Sequence, residues 1–327
     1  MSVSTPSAQM ARWSALRLRQ SAHLRELCAE TSFTTAHLVQ PIFIVEGLRG
    51  SEAIPGLDGN NRLGIDAALD TIAADVAAGV RHFLLFAVPT SASAYGAFAA
   101  RAVETIKRRF GNDLCLWVDV CLCSSTPDGH CGISGRDRRI DLDATLGALE
   151  EMTLRIADAG GDGASPSDMM DGRTARLRDA LDGRGHGAVP IMSYSTKFAS
   201  RFYGPFRTAA GSAPKHGTRE HYQIDVRSRT DAIGSSVRCA NEGADLLMVK
   251  PGMTSIDLIA PIREATGKLV GAYQVSGEYA GLCALGRDGL ADFNLALLET
   301  WQVFRRAGAA YIITYGARHA RDLGVPA

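Results

Sequence analysis

From residue 38 onward the chain alternates between short apolar runs and longer stretches with helical periodicity. The apolar runs cover residues 38–45, 82–88, 115–121, 163–167, 189–194, 245–250, 269–275 and 311–315. Each is rich in β-branched or aromatic residues, and most are apolar at consecutive positions, the signature of strands buried on both faces. Four of the runs follow a helix stop: Ala78-Gly79, Ala159-Gly160, Glu242-Gly243 and Ala307-Gly308. Glycine ends a helix in the left-handed conformation at low cost. Eight strand–helix units of this kind predict an α/β fold, a (β/α)8 TIM barrel over residues 36–327. An open doubly wound sheet is the alternative, but no G-x-G-x-x-G opens the first unit. Residues 1–35 are polar and Arg-rich, with a partial apolar stripe at Trp13, Leu16, Leu18, Leu24 and Leu27. They read as an arm outside the barrel, and a neighbouring subunit is one surface that could bury the stripe.

Several runs end in reactive or polar groups: Asp119 and Cys121, Ser167 and Asp168, Tyr194 with Lys197 just beyond, Lys250, Gln274 with Ser276, and Tyr315. In a barrel these ends share one face, where active sites are built. The segment from 195 to about 223 is the longest expected loop, rich in Gly, Ser, Arg and Lys. A loop of that length at a barrel mouth predicts a lid.

Composition narrows the function. Among 327 residues, 35 Lys and Arg balance 35 Asp and Glu, so there is no basic excess to hold nucleic acid or an anionic membrane surface. Hydrophobic residues are 46% of the chain, which excludes intrinsic disorder. The longest purely apolar run, 83–88, is far short of the ~20 residues of a membrane span. The N-terminus has no apolar core of a secretory signal. Seven cysteines are few and odd in number, which argues against a disulfide framework. A reducing cytoplasm is expected, where clustered cysteines are candidate metal ligands.

Cys121, Cys123 and Cys131 form such a cluster, C-x-C-x7-C, with His130 as a possible fourth ligand. Three thiolates would leave the fourth position of zinc open for water or substrate, the pattern of a catalytic site. Asp119 lies two residues before Cys121 and shares its face of the strand. Lys197 and Lys250 sit at the ends of neighbouring units. A lysine that attacks a ketone must lose its proton, and lowering its pKa from ~10.4 to near 7 takes roughly 4–5 kcal/mol. An apolar wall and a second ammonium can supply that. Arg207, Arg219 and Gln223 on the long loop, and the hydroxyls of Ser276 and Tyr315, are candidate carboxylate binders. Asp168 is a candidate base or amine partner, with a helix N-cap as the bland alternative. Two amines, a metal and two anion-binding sets on one face suit the condensation of two small keto acids.

The motifs SPSDMMDGR (165–173), MSYSTKFASRFYGPFR (192–207), LMVKPGM (247–253), YQVSGEY (273–279) and IITYG (312–316) resemble the porphobilinogen synthase (5-aminolevulinate dehydratase) family, a likeness running from about residue 12 to 322. The resemblance implies a (β/α)8 barrel whose N-terminal arm embraces another subunit, in a homo-octamer. It implies condensation of two 5-aminolevulinate molecules to porphobilinogen with loss of two waters. Lys250 would form the imine with the substrate of the propionate side, and Lys197 with that of the acetate side. Ser276 and Tyr315 would hold one carboxylate, and Arg207, Arg219 and Gln223 the other. Ser167, Tyr203 and Phe206 fall within the matching motifs and are expected to line the substrate site. Asp119 and Asp168 would orient amines and move protons. The three cysteines match the family's zinc branch, and an allosteric magnesium ion, with no ligands assignable, belongs to the same expectation. The chain departs from the family pattern at Cys123-Ser124-Ser125-Thr126-Pro127-Asp128, in the shortened stretch 89–98, and at Gly316. These departures keep a second reading open, a pyrrole-forming relative acting on a different amino ketone. A third is a barrel retired from catalysis that serves as an assembly or binding subunit. An aldolase would need one imine-forming lysine and no three-cysteine site.

Overall fold

The computed structural model describes residues 17–90, 95–135 and 139–327, which divide into a unit ending at Ser32 and one running from Phe33 to Ala327. Trp13 and Leu16 lie outside the described residues. In the first unit a short helix, α1 (Ala22–Leu27), is capped by Ser21, whose side chain accepts from the Leu24 N–H at 3.1 Å. α1 buries none of its side chains, and Leu18 and Leu27 are exposed.

The larger unit begins where Phe33 packs edge-on against Trp301 and the Thr35 N–H donates to the Pro326 carbonyl. Its strands are β1 (Leu38–Val45), β2 (Ser51–Ala53), β3 (Asn61–Leu63), β4 (His82–Val88), β5 (Cys115–Val120), β6 (Gly163–Pro166), β7 (Met192–Lys197), β8 (Leu246–Lys250), β9 (Leu269–Gln274) and β10 (Ile312–Thr314). Its helices are α2 (Ile65–Ala77), α3 (Ala97–Phe110), α4 (Leu142–Asp158), α5 (Arg173–Gly183), α6 (Gly204–Ala209), α7 (Arg229–Asn241), α8 (Ile259–Thr266), α9 (Ser276–Arg287) and α10 (Phe293–Arg306). The parallel strands run in the order β6-β5-β4-β1-β10-β9-β8-β7, and a parallel bridge from Ala164 to Ile191 joins the two ends. This is the expected (β/α)8 barrel. β2 and β3 form a small antiparallel hairpin beside β1 that hydrophobic patterning does not reveal, because their sequences, SEA and NRL, are short and polar.

Side-chain alternation divides each early strand between two cores. On β4, Leu84 and Phe86 point inward with Phe43 and Trp117, while Phe83 and Leu85 pack outward under the helices. On β5, Trp117 points inward, so Asp119 two residues on does too. The Trp117 ring covers Gly163 on β6 so closely that a Cβ there would meet ring carbons at 2.3 Å. The four predicted helix stops all hold: Gly79, Gly160, Gly243 and Gly308 have φ of 98°, 88°, 99° and 97°.

The fifth barrel strand is shifted from the expected 189–194 to Met192–Lys197. Its sequence, MSYSTK, looks like a loop, yet every residue in it is buried. The hydroxyls are satisfied locally: Ser195 Oγ donates to the Met248 carbonyl at 3.3 Å and Thr196 Oγ1 to the Ala232 carbonyl at 3.0 Å. Lys197 is therefore on the strand, in register with Lys250 of β8. A register shift between Ser193 and Thr196 interrupts the pairing with β8. Irregularities of this kind re-aim side chains beside active sites, and here Tyr194 and Lys197, three positions apart, face the same interior.

Candidate active site

Lys197 and Lys250 stand side by side at the barrel mouth, 5% and 4% exposed. Lys197 Nζ donates to the Ser167 carbonyl. Lys250 Nζ bonds no acceptor among the described residues and is ringed by aromatic faces. Its distances to the ring centroids are 4.2 Å for Tyr273, 4.8 Å for Tyr194, 5.0 Å for Phe206 and 5.3 Å for Tyr203. Burial, reinforced by the neighbouring Lys197, drives the Lys250 pKa well below the usual lysine value. Cation–π attraction favours the charged amine by ~0.5–2 kcal/mol per ring. Burying an ammonium that has no hydrogen-bond acceptor costs several kcal/mol. Burial is the largest influence and favours the neutral amine at Lys250, with Asp119 and the nearby cysteines pulling the other way. Behind it, Glu278 of α9 braces the turn after β8 by accepting from the Met253 and Val275 N–H groups, both at 2.8 Å.

Asp119 faces the same space, with Oδ1 buried and unpartnered. Burial pushes its pKa up to about 6, against the pull of Lys197 and the Ser167 hydroxyl. It can therefore hold or release a proton near neutrality. Asp168 differs. It is fully buried, but its Oδ1 accepts from the Met170 N–H at 2.7 Å and its Oδ2 lies 3.6 Å from Arg173 Nε. Burial raises its pKa to about 6 despite Arg173. It is no N-cap either, since Gly172 caps α5. Arg173, which sequence reasoning passed over, donates to the carbonyls of Met170 and Tyr194, both at 3.1 Å, and so ties the Asp168 turn to β7.

The segment after β7, expected as a lid, contains the short helix α6, which carries Phe206 to Lys250, and the Tyr203 hydroxyl donates to the Phe198 carbonyl at 2.8 Å. Arg207, Arg219 and Gln223 line a cavity of about 250 Å³. Nε of both arginines and both amide atoms of Gln223 are buried without partners. Guanidinium and amide N–H groups of this kind can bind a carboxylate. Ser276 and Tyr315 are also buried. The Phe206 N–H donates to Ser276 Oγ at 3.1 Å, and the Tyr315 hydroxyl meets that of Tyr273 at 3.2 Å. Gln274 turns outward, its Nε2 donating to Thr300 Oγ1 at 2.8 Å.

Cys121, Cys123 and Cys131 are buried, with Sγ atoms all within 4.8 Å of one another. Thiolates sharing a metal at ~2.3 Å bonds must converge in this way, so the donor set fits a soft divalent ion such as zinc. His130 does not join them. Its Nδ1 lies 3.2 Å from the Tyr222 hydroxyl and its Nε2 2.9 Å from the His216 carbonyl. The sequence offered no sign of this, because the partners are on the lid. Nor did it mark Tyr273, which reads as an ordinary strand aromatic, and it placed Tyr194 only at a strand end beside Lys197. No described helix is long and apolar enough to cross a membrane.

Residues 13–323 match the family model for delta-aminolevulinic acid dehydratase. The chain is 39% identical over 315 residues to the delta-aminolevulinic acid dehydratase of Helicobacter pylori, covering 94% of this chain and 97% of that one. It is 38% identical over 314 residues to that of Bacillus subtilis, covering 94% and 95%. Among solved structures it is similar to the delta-aminolevulinic acid dehydratase (porphobilinogen synthase) of Toxoplasma gondii ME49 in complex with the reaction product porphobilinogen. The TM-score is 0.91 at 34% identity, over 95% of this chain and 91% of that one.

Proposed function

The chain belongs to the delta-aminolevulinic acid dehydratase family, and from that premise we propose how its barrel mouth joins two 5-aminolevulinate molecules into porphobilinogen. It is a lyase of tetrapyrrole (haem) biosynthesis. The observation that carries the residue assignment is the pair of adjacent buried lysines facing an aromatic wall.

Lys250 attacks the ketone of the propionate-side substrate. The carbon–nitrogen bond forms, the carbonyl oxygen leaves as water, and the resulting imine is electrophilic once protonated. Lys197 does the same for the acetate-side substrate. Ser276 and Tyr315 exchange their present partners for the first carboxylate. Arg207, Arg219 and Gln223 take the second, and Tyr203 and Phe206 close over the first amine. The clamps make the coupling of two substrates effectively unimolecular. Asp119, held by the Ser167 hydroxyl, positions an amine and moves a proton. Asp168 acts at one remove, fixing with Arg173 the turn whose Ser167 carbonyl holds Lys197. Cys121, Cys123 and Cys131 would hold zinc, which would supply a Lewis acid and lower the pKa of a coordinated water. Helix α1, which buries none of its side chains, supports a homo-oligomer, which we take to be an octamer working in the cytoplasm.

The test is direct. Reduced, zinc-supplied protein is incubated with 5-aminolevulinate, and porphobilinogen is measured with and without a chelator. Lys250→Ala abolishes turnover in this reading. Activity within about tenfold of wild type, roughly 1.4 kcal/mol of barrier, refutes it.

A further inference from the structure

The lid and the thiol-bearing loop are laced together. Ser124 Oγ donates to the Ala210 carbonyl at 2.9 Å, the Lys215 N–H to the Asp128 carbonyl at 2.9 Å, and Arg219 Nη2 to the Gly129 carbonyl at 2.8 Å. Gly129 is forced by this closeness, because a Cβ there would meet the Ala213 carbonyl oxygen at 2.5 Å. One contact differs from these in reaching a thiol-bearing residue itself: the Cys131 N–H donates to the Tyr222 hydroxyl at 3.2 Å. That hydroxyl then has its proton for His130 Nδ1, 3.2 Å away, which leaves Nε2–H to donate to the His216 carbonyl. The chain of bonds therefore starts at Cys131, passes through Tyr222 and His130, and ends at His216 on the lid.

Tyr222 shares one backbone turn with the carboxylate donors. The Arg219 carbonyl accepts from the N–H groups of Tyr222 at 3.3 Å and Gln223 at 2.9 Å. On that turn Arg219 and Gln223 line the 250 Å³ cavity while Tyr222 faces Cys131. The turn cannot move toward an anion without moving the group that orients Cys131, and the converse holds.

We propose that Tyr222 is a positioning residue that couples metal binding at the three cysteines to carboxylate binding in the lid cavity. This rests on the zinc and clamp assignments above. A filled thiol cluster then tightens the clamp, and a bound keto acid tightens the hold on the metal by the same factor, because coupling free energies are reciprocal.

The experiment measures zinc affinity by competition with a chromogenic chelator, with and without 4-oxopentanoate, the substrate skeleton lacking its amine. In the wild type the keto acid tightens zinc by about fivefold or more, the lower end of ordinary coupling. In Tyr222→Phe zinc binds about tenfold more weakly, as expected when a partner of a ligand residue is removed, and the keto acid no longer changes it. Ser124→Ala, which cuts a lacing bond that does not reach a cysteine, keeps the coupling. Wild-type affinity and coupling in Tyr222→Phe overturn the proposal. So does equal loss of coupling in Ser124→Ala. Hydrogen exchange of residues 198–223 in the wild type gives a readout free of any variant: zinc slows it, and exchange indifferent to zinc overturns the proposal. A different failure marks the underlying assignment: if Cys121→Ala and Cys131→Ala bind zinc as the wild type does, the metal is not at the thiols at all.

Discussion

Replacing Lys250 by Met isolates the consequence of burying an amine. Met keeps the length and most of the volume of the side chain and removes the titrating nitrogen. In the folded protein the Lys250 pKa lies well below the ordinary lysine value, because burial and the neighbouring Lys197 disfavour the charge. In the unfolded chain it is ~10.4. Between those two values the unfolded state binds a proton that the native state does not, so wild-type stability rises with pH through that window. At pH 7 an amine that is unprotonated in the fold costs about 4–5 kcal/mol, and the cost shrinks by roughly 1.4 kcal/mol for each pH unit upward. Lys250→Met removes it. Urea unfolding of both proteins at pH 7, 8, 9 and 10 should show the variant more stable by several kcal/mol at pH 7. The difference should decline steadily and nearly vanish at pH 10, while turnover is absent throughout. A difference that is flat with pH, or a variant less stable at pH 7, refutes the reasoning: Lys250 would then keep its proton in the fold and could not be the resting nucleophile.

Arg219→Lys keeps the charge but loses the planar fork, and it should raise the KM for 5-aminolevulinate about tenfold or more with the fold intact. Steady-state kinetics with an unchanged KM would remove Arg219 from the clamp. Asp168→Asn leaves the buried Arg173 charge without its counterion, which should cost about 3–5 kcal/mol of stability. The protein that remains folded should still form a borohydride-fixed adduct at Lys250, and a wild-type melting curve would show that the pair has no such structural weight.

The barrel was legible because parallel strands buried on both faces read as uninterrupted apolar runs. The runs at 38–45 and 82–88 coincide with β1 and β4. The glycine stops were legible for a purely local reason, the left-handed backbone each requires. β7 was misplaced because its buried hydroxyls satisfy themselves on neighbouring carbonyls, and a polarity pattern cannot see that. The lysines, the cysteines and the lid arginines could be named from type and position. Their surroundings could not. Tyr194 and Tyr273 reach Lys250 only through the register of β7, β8 and β9. The choice among roles for Asp168 turned on Arg173, five residues away in sequence, and on which residue caps α5. His130 sits beside Cys131 in the chain, yet it is drawn off by Tyr222 and His216, some ninety residues distant.

The two proposed clamps differ in a way that follows from the charges beside them. Around Lys250 the donors are neutral, the hydroxyls of Ser276 and Tyr315, set among aromatic rings. A guanidinium there would oppose the positive imine that the reaction must build on Lys250. With neutral donors, the carboxylate of the same substrate is left to balance that charge. The lid cavity has the opposite need. Arg219 lies in the field of Cys131 and Cys123, and three thiolates around a divalent ion carry a net negative charge. A second carboxylate brought beside that cluster would be repelled unless cations screened it. In the proposed reading two arginines supply the screening, with Nε of each buried and unpartnered. In this reading the donors differ with their surroundings: beside Lys250 a guanidinium would add to the charge of the imine, whereas on the Lys197 side the thiol cluster offsets the two arginines.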